Sequence, residues 1–247
     1  MNTDVAAKPS ALSRLSVIIP LAPDETAHLG LLQQLAALPA GAEIHLAACG
    51  DVEIPVDLRD ALRHLRCEIG HHPQGRARQL NHGIRDTHQP WLWLLHADSR
   101  LQPDTLPALE RFLAAGSERL GWFDLAFADD GPWLARLNAW GANRRSRWFG
   151  LPFGDQGLVL PRTTFEALGG FDESATYGED HLLVWAAHIA GIAVVPVGAG
   201  LVSSARNYAE RGWLRTTLRH WRLTLAQAWP QWRAWRRSRS RRSSPPR

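Results

Sequence analysis

The stretch at residues 91–95 (WLWLL) constrains the fold of this chain more than any other feature. Five apolar residues without alternation suit a strand covered on both faces, as in parallel sheets sandwiched between helices. The residues before it keep to the same plan. Residues 15–20 (LSVIIP) form a β-branched run that stops at proline, and residues 25–38 (ETAHLGLLQQLAAL) repeat their apolar positions at helical spacing. Residues 43–48 then read as a strand, 57–65 as a helix, 66–69 as a short strand and 75–87 as a helix. Strands alternating with helices predict an open α/β domain with a mostly parallel central sheet flanked by helices. In such sheets ligands sit at the carboxyl ends of the strands.

Past Pro103 the pattern changes. Residues 104–115 read as a helix that Asp104 would cap, 122–127 as a strand, and 133–148 as an irregular helical segment rich in Trp and Arg. A short strand at 158–160, a helix at 180–190, a strand at 193–197 and a long amphipathic helix at 209–228 follow. No internal repeat is present. With 45% hydrophobic residues in 247, the chain can bury a sizeable core, yet no apolar run reaches the roughly 20 residues that span a bilayer. The N-terminus carries Asp4 and only a short apolar run ending at Pro20, a poor secretory signal, so a cytoplasmic location is expected. Cys49 and Cys67 lack disulfide-scaffold or zinc-site spacing and read as buried reduced thiols.

Charge is divided unevenly along the chain. Residues 211–247 hold eleven Arg and no acid, which leaves residues 1–210 with seventeen bases against 24 acids, a net of −7. The sequence pI of about 9.8 therefore belongs to the tail. A basic tail on an acidic body is no argument for nucleic acid, and none is expected as a partner.

Three strings could carry chemistry. His96-Ala97-Asp98-Ser99 follows the apolar strand directly, where an α/β sheet opens its crevice. On an extended segment His96 and Asp98 would point the same way, and a hard Mg²⁺ or Mn²⁺ would suit Asp98 together with diphosphate oxygens. The competing reading is an Asp that caps the next turn. Gly178-Glu179-Asp180-His181 opens a helix; its acids could simply complement the helix dipole, or one could act as a general base on an acceptor hydroxyl. In residues 75–83 (GRARQLNHG), Arg76, Gln79 and Asn81 could serve phosphate oxygens, although a solvated basic face is the commoner reason for such a pattern. Asp155 and Gln156, before the strand at 158–160, are further candidates for substrate contact.

In order, SVIIP, GRARQLNHG, LLHADSRL, GDQGLVLPRTTFEALGGFDE, GEDHLLVW and SARNYAERGWLRTTLRHW resemble the inverting family-2 glycosyltransferases of the GT-A fold. More narrowly they resemble the radical-SAM/selenodomain-associated subgroup. The resemblance runs from about Leu15 to Trp229. It implies one GT-A domain over residues 15–228, with a nucleotide-binding half at 15–103 and an acceptor half at 104–228. A flexible segment at 1–14 and a basic, partly disordered tail at 229–247 would flank it.

The resemblance also implies roles. Asp98 matches the second acid of the family's Asp-x-Asp metal motif, with His96 in place of the first. Asp180 matches the catalytic base, supported by Glu179. Asp24, Arg76, Gln79, Asn81, Asp155 and Gln156 would line the donor site together with Asp98. The implied reaction moves a sugar from a nucleotide-diphospho-sugar to an unidentified acceptor hydroxyl, with a divalent cation and inversion of configuration. Two departures bear on the nucleotide. Pro23-Asp24 stands where the family has Asn-Glu, and Ala48 stands where an acid usually ends the second strand, with Asp51 three residues later as its substitute. A degenerate transferase that only binds, or a nucleotidyltransferase, are the alternatives; the latter usually shows a Gly-rich basic loop after the first strand, where this chain has LAPDET.

From Trp213 to Trp235, Trp and Leu recur at three- and four-residue intervals with Arg between them. The helix is expected to pack on the domain as far as Ala228 with Arg on its wet face. The WPQWRAWRR segment is left for peripheral contact with an anionic membrane.

Overall fold

A computed structural model of the chain describes residues 9–242. Most of the expected flexible N-terminus (1–8) and the end of the low-complexity tail (243–247) fall outside the described residues. The first part follows the alternation read from the sequence: β1 (Leu15–Leu21), α1 (His28–Leu35), β2 (Glu43–Ala48), α2 (Val56–Leu62), β3 (Arg66–His71), α3 (Arg76–Arg85) and β4 (Trp91–Leu94). A 3₁₀ turn at Ala11–Arg14 precedes β1; after β4 come β5 (Arg100–Leu101), α4 (Thr105–Ala114), β6 (Arg119–Phe127), α5 (Ala135–Phe149), a second 3₁₀ turn (Gly154–Gln156) and β7 (Leu158–Pro161). The chain then forms α6 (Arg162–Ala167), α7 (Glu179–Ala190), β8 (Ala193–Ser203), α8 (Arg206–Arg211) and α9 (Trp213–Arg242).

The described strands form one sheet in the order β3-β2-β1-β4-β7-β6-β8-β5. The first four are mutually parallel, whereas β7 runs antiparallel to both β4 and β6. The chain winds outward from β1 to β3 and then returns to place β4 on the other side of β1. That reversal opens a crevice at the carboxyl ends of β1 and β4.

The unbroken apolar strand has the physical basis expected of it. Trp91 and Trp93 pack with Val17, Ile19 and the α1 and α4 residues Leu31, Leu35, Leu109 and Phe112 on one face. Leu92 and Leu94 pack with Ile18, with Leu80 and Ile84 of α3, and with Leu183 and Val184 of α7 on the other. Each such buried side chain contributes about 1.5–3 kcal/mol of apolar transfer, so the two cores hold helices to both faces.

Several expectations are corrected. Asp104 makes no side-chain cap bond to α4. Thr105 Oγ1 instead accepts from the Gln102 N–H and donates to Gly200 O, both at 2.8 Å, which ties the start of α4 to β8. Residues 135–149 form a regular helix, and β8 extends to Ser203 across a bulge opposite Trp122–Asp124 of β6. The two cysteines are free but only half-buried; burial pushes the Cys67 thiol up to about 11.

The C-terminal region differs most. The expected helix over 209–228 is two helices, with Gly212 between them, and the second continues through Pro230 to Arg242, so residues 236–242 are helical despite their composition. Trp213 at its start packs beside Ala135, Ala205 and Tyr208, and side-chain hydrogen bonds tie it to the domain further along. Gln227 Oε1 pairs with His181 Nδ1 at 2.8 Å, and Asn138 of α5 bonds both Thr217 and Trp213. The helix meets the domain and keeps Arg215, Arg219 and Arg222 exposed as expected, but Leu214, Leu218, Trp221, Leu225 and Trp229 are exposed as well, so its apolar stripe is not the packed face. Spacing defines an apolar stripe but not the surface that meets it. Among the described residues no helix is long and apolar enough to cross a membrane.

Candidate active site

A cleft of about 580 Å³ lies at the β1/β4 reversal, a size suited to a small organic ligand. The turn after β1 contributes Ala22, Pro23 and Glu25; α3 contributes Arg76 and Gln79; the segment after β4 contributes His96, Ala97 and Asp98. Ser204, Arg206, Asn207 and Glu210, from the end of β8 and from α8, close the remaining side.

His96 and Asp98 both reach this cleft, but in different directions. The strand ends at Leu94, and residues 96–99 turn, with the Ser99 N–H bonded to His96 O at 3.1 Å. Asp98 Oδ2 accepts from Ser203 Oγ at 3.1 Å and from the Ser204 N–H at 3.0 Å, which fixes the carboxylate and leaves Oδ1 for another partner. His96 Nε2 accepts from Arg76 Nη2. An arginine can only donate, so that nitrogen's lone pair is already committed. Burial first, and then the Arg76 charge, hold the His96 pKa well below its ordinary value. In this arrangement Nε2 faces Arg76 rather than a cation, whereas Asp98 keeps a carboxylate oxygen open.

Arg76 also meets Glu179, with Nε 2.8 Å from Oε1. One guanidinium therefore links the end of β4 to the start of α7. Beside it, Asp180 Oδ2 accepts from the Gly154 N–H, and Oδ1 accepts from the His181 N–H at 2.8 Å. The crowding is close. A Cβ placed on Gly154 would stand 2.7 Å from Asp180 Oδ2, 2.8 Å from Arg76 Nη2 and 3.0 Å from His96 Nε2.

Asp155 sits within this charge cluster. Its Oδ1 is buried with no hydrogen-bond partner among the described residues. Burial raises its pKa to about 6; Asp180 and Asp98 push in the same direction, while Arg145 and Arg76 oppose. The charges of Asp98 and Asp180 thus both bear on one buried carboxyl. Burial likewise raises Glu179 despite the Arg76 charge beside it. A site holding this many acids with few cations is poised to gain from positive charge.

Arg145 of α5 was not singled out in the sequence. Its guanidinium lies 3.7 Å from the Phe153 ring centroid, its Nε donates to Leu151 O at 2.7 Å, and burial lowers its pKa against the attraction of Asp155 and Asp180. Among the Arg residues of 133–148, nothing local marks this one as turned inward.

Four expected donor residues lie elsewhere or are occupied. Gln79 lines the cleft, but its amide donates to Leu21 O at 2.8 Å and Ala47 O at 2.6 Å, so it fastens the ends of β1 and β2. Asn81 points to the far side of α3, where it accepts from the Phe171 N–H at 3.0 Å and donates to Phe171 O at 3.0 Å and to Glu173 Oε1 at 2.9 Å. Gln156 is completely buried among Ser146, Phe123 and Asn143. Asp24 is exposed at φ 59° and does not line the cleft, whereas its neighbour Glu25 does. Asp51, the expected substitute for the missing acid at Ala48, is also exposed and outside the lining, whose acids are Glu25, Asp98 and Glu210.

Residues 51–171 match the family described as Glycosyl transferase family 2. No curated protein matches the chain. Among solved structures, residues 1–349 of S. aureus TarS in complex with UDP-GlcNAc share 14% identity at a TM-score of 0.60, covering 78% of this chain and 58% of that one. The mannosyltransferase PcManGT from Pyrobaculum calidifontis, in complex with GDP-Man and Mn²⁺, shares 19% identity at a TM-score of 0.57, covering 87% of this chain and 61% of that one. This chain therefore spans about three fifths of either structure. At such identities the likeness is one of fold, and the fold is of the GT-A type.

Proposed function

We propose that the protein is an inverting glycosyltransferase that moves a sugar from a nucleotide-diphospho-sugar to an acceptor hydroxyl. The observation that carries this reading is that Arg76, which lines the cleft at the β1/β4 reversal with Asp98, is paired with Glu179 and shares the surroundings of Gly154 with Asp180, so that acids about 80 residues apart in the chain gather at one edge of the cleft. The neighbours' complexes with UDP-GlcNAc and with GDP-Man support a nucleotide-sugar donor. The His96-Ala97-Asp98 pattern supports the narrower radical-SAM/selenodomain-associated subgroup.

Asp180 takes the proton from the acceptor hydroxyl as that oxygen bonds to the anomeric carbon. The bond from that carbon to the diphosphate oxygen breaks on the opposite side, so one displacement inverts the configuration. The Gly154 and His181 N–H groups each hold one Asp180 oxygen, and each oxygen keeps a lone pair to receive the proton. Arg76, held by Glu179 and His96, and Arg145 place positive charge beside the reacting groups. A hard divalent cation fits the site: Asp98 has a free carboxylate oxygen, and the buried, unpartnered Asp155 Oδ1 faces the same excess of negative charge. Asp98 would hold it, with Asp155 nearby, and when bound it would neutralise charge on the departing diphosphate.

Thermal shift with nucleoside diphosphates and nucleotide sugars, with and without Mn²⁺, tests the donor reading. One nucleotide is expected to raise the melting temperature only with the metal, and Asp98→Asn to remove the rise. A shift that ignores both metal and Asp98 overturns the assignment.

We further propose that α9 rests on an anionic membrane, which would bring a lipid-linked acceptor to the cleft. Trp221, 69% exposed, lies in a stripe with Leu214, Leu218, Leu225 and Trp229, flanked by exposed Arg215, Arg219 and Arg222. Apolar residues edged by arginine suit the boundary between headgroups and acyl chains. The full chain is expected to float with anionic vesicles and not with zwitterionic ones, and Trp221→Glu with Leu225→Glu to abolish flotation. Equal recovery of variant and parent ends the proposal.

A further inference from the structure

The cleft leaves one chemically loaded cluster unused. His45 of β2, His72 just after β3 and Asp86 at the end of α3 are far apart in sequence, and their ligand atoms meet on the α3 side of the sheet. His45 Nε2 and His72 Nε2 are 3.2 Å apart, and Asp86 Oδ2 lies 3.7 Å from the first and 3.5 Å from the second.

We propose that these three residues form a zinc site, separate from the donor cleft, with an outward-facing fourth position for water. The distances carry the argument. A tetrahedral Zn²⁺ with bonds of about 2.0–2.1 Å separates its ligand atoms by about 3.3 Å, close to the triangle seen here. Two imidazole nitrogens and one carboxylate oxygen are a zinc-type donor set, unlike the oxygen-only chemistry suited to Asp98.

The surroundings keep that space open. A Cβ on Gly70 would stand 2.5 Å from His72 Nε2 and 2.6 Å from His45 Nε2, so only glycine leaves the two rings room to meet. The backbone N–H of His72 donates to Ala48 O at 2.7 Å, which holds the chain in place, and the His82 ring stacks on the His72 ring at 5.2 Å. Burial holds both His45 and His72 below the ordinary histidine pKa against the pull of Asp86. The side chains of His45 and His72 are only 3% and 9% exposed, whereas that of Asp86 is 48% exposed, giving a site closed on the sheet side and open to solvent.

The site is remote from the cleft. Arg76 and Asp86 stand at opposite ends of α3, about 15 Å apart at the helical rise per residue. A metal there would pin the end of α3 to β2 and β3, and so steady the helix that carries Arg76.

The test is a titration of untagged, chelator-treated full-length protein with Zn²⁺ by calorimetry, without nucleotide, with Co²⁺ as a spectroscopic probe. One equivalent per chain is expected, together with the strong visible absorption of tetrahedral Co²⁺ and a higher melting temperature with zinc. Asp86→Asn, at an exposed position that keeps the fold, should weaken binding at least tenfold and remove the thermal rise; His72→Gln should do the same. Circular-dichroism melts without metal separate loss of zinc from loss of fold. No uptake by the parent, or unchanged uptake by Asp86→Asn, overturns the site. Since no nucleotide is present, either result leaves the transferase reading to its own test.

Discussion

Asp180→Asn is expected to leave donor binding nearly unchanged while lowering turnover by roughly 10²–10⁴-fold, the usual contribution of a positioned general base. Binding survives because the amide matches the carboxylate in size, and its oxygen still accepts one of the two backbone N–H bonds from Gly154 and His181. Turnover falls because an amide cannot take the acceptor proton at neutral pH. Glu179 cannot readily replace it, since it is buried and paired with Arg76 at 2.8 Å. Steady-state kinetics with an identified donor, alongside calorimetric donor binding, check both halves. Normal turnover in the variant would show that the base lies elsewhere.

The second large effect is expected from a single methyl group. In Gly154→Ala the new Cβ would stand within 3.0 Å of three side chains of the candidate site, Asp180, Arg76 and His96, and none can retreat without losing a partner. Overpacking of this kind costs about 1–3 kcal/mol of stability. Activity should suffer more, by about 10²-fold or beyond, since displacement of catalytic groups by an ångström has that effect. Gly141→Ala is the control. Nothing lies within 4 Å of its Cβ, on a helix where alanine is favoured over glycine by about 0.8–1.0 kcal/mol, so it should stabilise slightly and leave activity intact. Chemical denaturation and kcat measured on both variants decide the matter; full activity in Gly154→Ala would mean that the observed crowding is irrelevant to the reaction.

Much of the fold was legible because its first half obeys local rules. Residues 43–48 match β2 to the residue, and WLWLL announced a two-faced strand that the structure fills with Trp residues on one side and Leu residues on the other. Side-chain periodicity registers such burial directly. The second half follows it less well. The bulge opposite Trp122–Asp124 and the extension of β8 to Ser203 depend on pairing with β6, which no local pattern encodes. The amphipathic stripe of α9 was visible, but not that it would stay exposed while Gln227, Thr217 and Trp213 meet the domain.

The candidate site divides in the same way. Asp98 and Asp180 could be singled out because each follows a recognisable strand or opens a recognisable helix. Nothing in the sequence showed that Arg76 would occupy His96, or that Gln79, Asn81 and Gln156 would spend their amides on backbone and core partners. Glu25 and Glu210 could have been found only by knowing which segments border the crevice. The cluster of His45, His72 and Asp86 joins three elements that are separate in the chain.

By itself, then, the sequence determined the order of strands and helices, the two-sided burial of the central strand and the chemical types available at its end, since these follow from the spacing of neighbouring residues. Only the tertiary structure decided which polar groups remain free to act. A side chain's hydrogen-bonding capacity is finite, and its partners are supplied by segments tens of residues away.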